Sequence, residues 1–129
     1  VNMEYQTPLA KARGLGSAKT GTKHWWMQRV TAVALVPLSF WLILFIDQLL
    51  HASYAEIREW LISPLNFTLL LAWAFTGFYH SALGLQVVIE DYVNPDGLKI
   101  VMVWVIKLTF TAMAIASLVF TIRIAVLAG

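Results

Sequence analysis

In the stretch HSALGLQVVIEDYVN, residues 80–94, an imidazole sits inside an apolar run, and an Asp-Tyr pair closes that run eleven residues later. A histidine so placed has two main uses: axial ligand to a haem iron, or hydrogen-bonding partner of a neighbouring helix. A carboxylate beside a phenol suits different chemistry. Asp91 and Tyr92 together offer a hydrogen-bond donor to a quinone carbonyl and a route for protons from water. If the stretch is helical, eleven steps of 100° bring Asp91 back to within about 20° of His80 and about 16 Å along the axis. The two groups then share a face, one deep and one at the end. Arg29, at the start of an earlier apolar run, is placed to meet a haem carboxylate from that same end. The plainer reading makes it an interfacial arginine that snorkels outward.

The elements that must position these groups are membrane helices. The chain has 129 residues, of which 60% are hydrophobic and 12% charged, whereas a soluble domain carries roughly 25% charged residues. Apolar runs at 30–50, 67–89 and 100–127 are each long enough for the ~20 helical residues that cross a bilayer. The expectation is therefore an all-α integral membrane protein. An N-terminal arm, 1–28, precedes a three-helix transmembrane anchor domain, 29–129, with spans near 29–50, 66–89 and 98–127. Residues 1–22, with Pro8 and scattered glycines, read as an extended surface arm. Trp25 and Trp26 suit the water-membrane boundary, and Pro37 should kink the first span. Residues 51–66 read as a short loop holding Glu56, Arg58 and Glu59. Gly77, Ser81 and Gly84 let a neighbouring backbone or a flat cofactor approach closely beside His80. Asn94-Pro95-Asp96-Gly97 is a turn signal that makes the second and third spans antiparallel neighbours. Lys107, about two turns into the third span, reads by default as snorkelling to the headgroups, with a cofactor carboxylate or an anionic lipid as the alternative.

Charge placement sets the expected topology. Lys11, Arg13, Lys19, Lys23 and Arg29 precede or open the first span, while the loop after it holds Arg58 alone; the N-terminus is then cytoplasmic, or matrix-facing in a mitochondrion. The start does not resemble a cleaved signal peptide, because about 28 polar or mixed residues precede the first apolar run. With the basic arm, this favours a bacterial inner membrane over a mitochondrial one. A net charge of +2 gives no argument for nucleic acid. The absence of cysteine excludes disulfides, thiolate metal sites and the covalent attachment of a c-type haem, so any haem here is held non-covalently. The sequence has no phosphate loop or hydrolytic triad, and no inverted repeat of the kind that marks many transporters.

A low-spin b-type haem takes two axial ligands, and the chain has three histidines. His24 precedes the first span and His51 follows it, so neither reaches the depth of His80. A second imidazole must come from another chain, and three helices are fewer than the four that commonly enclose a cofactor. The protein is thus expected to act within an obligate assembly.

The segments HWWMQRVTAVALVPL and FYHSALGLQVVIEDYV resemble the hydrophobic membrane-anchor family of succinate dehydrogenase, the small cytochrome b chains of succinate:quinone oxidoreductases. The likeness covers about residues 20–100, in the order Arg at the first helix, His within the second and Asp-Tyr at its inner end. The resemblance implies a heteromeric helix bundle that holds haem b between this chain and a second membrane anchor, beside an iron-sulfur subunit and a flavoprotein subunit. It implies that His80 is one axial ligand of the haem iron and that Tyr92 hydrogen-bonds ubiquinone. Asp91 would support that site or its proton path, and Arg29 would lie near the haem propionates and the quinone. The chain would then help pass electrons from the iron-sulfur subunit to ubiquinone, with no catalysis of its own. The alternatives are an anchor of fumarate reductase or another quinone-linked dehydrogenase, and a haem-free scaffold or transporter component.

Overall fold

The computed structural model describes residues 7–14 and 21–127. Among these, all regular structure is helical: α1 Pro8–Gly14, α2 Gly21–His51, α3 Tyr54–Ile62, α4 Pro64–Tyr92 and α5 Asp96–Leu127. Three of them, α2, α4 and α5, are long and apolar enough to cross a membrane. Of the arm expected at 1–28, residues 1–6 and 15–20 lie outside the described residues, Lys19 among them. Where the arm is described it is helical, not extended: it contains α1, and α2 begins at Gly21. That longer start carries Trp25, Trp26 and Arg29 on the first turns of the helix. The helix also continues through Pro37 to His51.

The connection between the first two spans differs from the expected loop in containing α3. Its start is fixed by a capping box: the Ser53 hydroxyl accepts from the Glu56 backbone N–H, while the Glu56 carboxylate accepts from the Ser53 N–H at 2.7 Å. Two orphan donors are satisfied reciprocally. Ser63 then caps α4, its hydroxyl accepting from Asn66 N–H at 3.3 Å, and Pro64 stands at the first helical position, where its missing N–H loses nothing. At the far end, Val93 N–H closes on the Ile89 carbonyl at 2.9 Å, and three residues later α5 begins.

The helix α4 is central, packed against α2 on one side and α5 on another, with α3 touching α4 and α5. Few side chains are buried: Trp41, Leu61, Ala74, Leu83 and Ile89, with Thr31 and Thr121 the buried polar ones. Val33, Phe40, Ile43, Leu44 and Leu108 instead point outward. Such an apolar exterior is stable only against lipid or another chain. Hydroxyls inside the spans are satisfied locally. Thr68, Thr109, Thr111, Ser117 and Thr121 each donate to the carbonyl four residues earlier, so none of them goes unpaired in hydrocarbon.

The end of the bundle away from Tyr92 is held by side chains that tie three helices together. Trp41, Phe45 and Trp60 lie nearly parallel with centroids 5.4–5.7 Å apart. Trp41 Nε1–H donates to Asn66 Oδ1 at 3.0 Å, and Asn66 Nδ2–H donates to the Trp60 carbonyl at 2.8 Å. Arg58 donates to the carbonyls of Ile124 and Ala125 at 3.3 and 3.4 Å, satisfying acceptors that the last turn of α5 leaves open.

Candidate functional site

His80 lies within α4 and turns toward α2. Its Nδ1 is 2.9 Å from Thr31 Oγ1, and Thr31 is 6% exposed. The hydroxyl also donates to the Met27 carbonyl at 2.6 Å, with Gln28 O at 3.2 Å. Among the described residues no hydrogen bond is made by the other ring nitrogen of His80, Nε2. The side chain lines a cavity of about 310 Å³ between α2, α4 and α5, with Leu35, Trp73, Gly77, Ser81 and Phe110 around it.

Of the small residues near His80, Gly77 and Ser81 line its cavity, and Gly77 and Gly84 face α2. A Cβ at Gly84 would meet Gln28 Nε2 at 3.6 Å, and one at Gly77 would meet Leu35 Cδ2 at 4.0 Å. Both neighbours belong to α2 and both distances are ordinary van der Waals contacts, so the two glycines face α2 without being required by its approach.

Asp91 and Tyr92 form the last turn of α4, and the helix is unbroken from His80 to them. The shared face expected from the spacing therefore stands, about 16 Å separating the two levels. Both side chains are exposed, Tyr92 at 80%. Arg29 is exposed as well, its guanidinium 5.3 Å over the Trp25 ring. It lies two residues before Thr31, about 200° around the helix, and so leaves the face that meets His80. The structure thus brings His80 together with Thr31, sets Asp91 and Tyr92 at one end, and holds Arg29 at that end on another face of α2.

Lys107 is exposed on α5, its ammonium 5.5 Å over the Trp104 ring. It borders a cavity of about 470 Å³ with Phe75, Phe78, Tyr79 and Phe110, and another of about 390 Å³ with Lys23, His24, Gln86 and Glu90. Asp47 lies at the other end of the bundle, its carboxylate 3.2 Å from His51 Nδ1. His24 is in the first turn of α2, where its Nε2 and the neighbouring Gln28 Oε1 are buried with no hydrogen-bond partner among the described residues. No three His, Asp or Glu side chains gather as a metal-ion site among the described residues.

The sequence did not single out Thr31, the residue that meets His80. Its only signal is a hydroxyl in an apolar run, and five other hydroxyls in the spans merely bond their own helix.

Three antiparallel apolar helices with a part-buried histidine contact between two of them define a multi-pass, all-helical membrane protein. Residues 3–123 match the family model of the succinate dehydrogenase/fumarate reductase transmembrane subunit, and the chain belongs to that family. It is 38% identical over 105 residues to a succinate dehydrogenase hydrophobic membrane anchor subunit of Rickettsia bellii, covering 81% of this chain and 84% of the relative. The protein of the same name from Rickettsia prowazekii is 36% identical over 119 residues, covering 92% and 94%. That from Paracoccus denitrificans is 31% identical over 90 residues, covering 70% of each chain. No solved structure matches the chain.

Proposed function

We propose that this chain anchors a succinate dehydrogenase in a bacterial inner membrane, where it holds one side of a haem b and one side of a ubiquinone site. The observation that carries the reading is His80: an imidazole deep in a membrane helix, with Nδ1 engaged by Thr31, Nε2 without a partner among the described residues, and a cavity beside it. The donor set fits a b-type haem iron, which neutral imidazole ligates through one nitrogen while the other is hydrogen-bonded. A cavity of about 310 Å³ is at the small end of the ~300–1,000 Å³ usual for such sites. The remaining walls and the second axial imidazole would come from the second membrane anchor. The exposed apolar faces of α2 and α5 give that partner a surface. The iron-sulfur and flavoprotein subunits would dock on the end that carries Asp91 and Tyr92.

Haem b, when bound, supplies a reversible one-electron store beside the quinone. Tyr92, at the water-facing end of α4, is free to donate its phenolic proton in a hydrogen bond to a quinone carbonyl oxygen. Asp91 stands next to it on the face of His80, exposed to water and able to relay a proton toward the oxygen that Tyr92 marks. Arg29, bent over Trp25 at the same end, has a long enough arm to leave that ring for a propionate or the quinone.

The decisive experiment is to purify the intact complex, identify its chains and record a reduced-minus-oxidised spectrum for wild type and His80→Leu. The expected result is loss of the haem signal, or a change in its ligation and potential. An unaltered signal would remove His80 as ligand. The same His80–Thr31 contact also favours a second reading, a haem-free scaffold in which the pair simply joins α2 to α4. An active but colourless wild-type complex would select that reading.

A further inference from the structure

We propose that Thr31 is a positioning residue for His80: its buried hydroxyl fixes the imidazole as the Nδ1–H tautomer and leaves Nε2 as the ligating nitrogen. This rests on the haem-ligand reading of His80. A threonine hydroxyl has one proton to give. The 2.6 Å separation of Thr31 Oγ1 from the Met27 carbonyl oxygen places that proton between those two oxygens, since two acceptors at such a distance repel without one. The 2.9 Å contact between Oγ1 and His80 Nδ1 is then a hydrogen bond only if Nδ1–H donates and Oγ1 accepts. The opposite tautomer would claim the threonine proton for Nδ1 and set Oγ1 against the Met27 carbonyl with nothing between them. Burial of Thr31 to 6% exposure keeps water from taking its place.

Two consequences follow for the ligand. The ring presents the lone pair of Nε2, the nitrogen that Thr31 does not engage, and its rotation is held by a residue 49 positions away on another helix. Donating from Nδ1 also raises the electron density of the ring, making Nε2 the more basic ligand and favouring the oxidised iron. Thr31 thereby sets the orientation of the imidazole and lowers the haem potential without touching the haem.

The test uses the whole complex. Thr31→Val keeps the side-chain shape and removes the oxygen. The assembled variant is expected to hold haem about 10- to 100-fold less tightly and to reduce it at a more positive potential. Thr31→Ser restores both. A second measurement needs no variant: pulsed electron paramagnetic resonance of the wild-type complex with ¹⁵N placed at histidine Nδ1 or Nε2 should find Nε2 on the iron and Nδ1 remote. An assembled Thr31→Val complex with wild-type retention and potential overturns the inference, as does iron bound through Nδ1. If Thr31→Val does not assemble, the labelling result decides. A haem that disappears on His80→Leu but ignores Thr31 sinks this inference alone. A haem that survives His80→Leu unchanged sinks the ligand reading and this inference with it.

Discussion

Tyr92 ends α4 with 80% of its surface exposed, and its hydroxyl makes no hydrogen bond among the described residues. A phenol used to recognise a quinone must be free in this way before the quinone arrives. Tyr92→Phe is accordingly expected to weaken the quinone step while sparing succinate oxidation by an artificial acceptor in the same complex. One neutral hydrogen bond is worth about 0.5–1.5 kcal/mol, which corresponds to roughly a 2- to 13-fold loss in kcat/KM for quinone. Unchanged quinone kinetics would remove Tyr92 from the site. His80 was conspicuous in the sequence as an imidazole within an apolar run, and Asp91 and Tyr92 as part of the polar end that closes it. Thr31 was not. Its hydroxyl makes the same bond to its own helix as five others in the spans, and what sets it apart is a contact that exists only once α2 has packed on the Gly77–Gly84 face. Asn66 was hidden for a related reason: its two hydrogen bonds, to Trp41 and to the Trp60 carbonyl, link three helices.

At the scale of elements, the three spans follow from apolar length alone, but α3 needed a different signal. Glu56, Arg58 and Glu59 make residues 54–62 look like a polar loop, while Ile57, Trp60 and Leu61 form the apolar stripe of a short amphipathic helix. The S-x-x-E spacing of Ser53 and Glu56 marks its beginning. The capping box also makes α3 sensitive to acid. Hydrogen bonds from the Ser53 side chain and then its backbone N–H hold the Glu56 carboxyl below its ordinary value of 4.5. Because the folded value is the lower one, the box contributes fully above pH 4.5, and its contribution is lost as pH falls through the lowered value. Amide exchange in the first turn of α3 should therefore speed up in that acid window, beyond the intrinsic pH dependence of exchange. In Glu56→Gln the extra acceleration should be absent. An α3 whose protection is indifferent to both changes would show that the packing of Trp60 and Leu61 holds the helix without its cap.

For the molecule as a whole, the two ends of the bundle differ in charge, and that difference predicts its orientation. The end formed by the start of α2, the end of α4 and the start of α5 carries Lys23, Arg29 and Lys99. The opposite end carries Arg58 and Arg123, and Arg58 is engaged with the carbonyls that finish α5. By the bias of lysine and arginine toward the cytoplasmic side, the expected orientation has Tyr92 and Asp91 inside, on the side of the proposed soluble subunits, and α3 outside. The chain contains no cysteine, so single cysteines report topology without background. Asp96, with a side chain 94% exposed, and Glu59, exposed on α3, mark the two ends. A membrane-impermeant maleimide applied to intact spheroplasts should label Glu59→Cys at once and Asp96→Cys only after the membrane is broken. The reverse pattern would put the proposed quinone end on the outer face, away from any cytoplasmic electron donor, and would overturn the proposed docking of the iron-sulfur subunit even if His80 still held a haem.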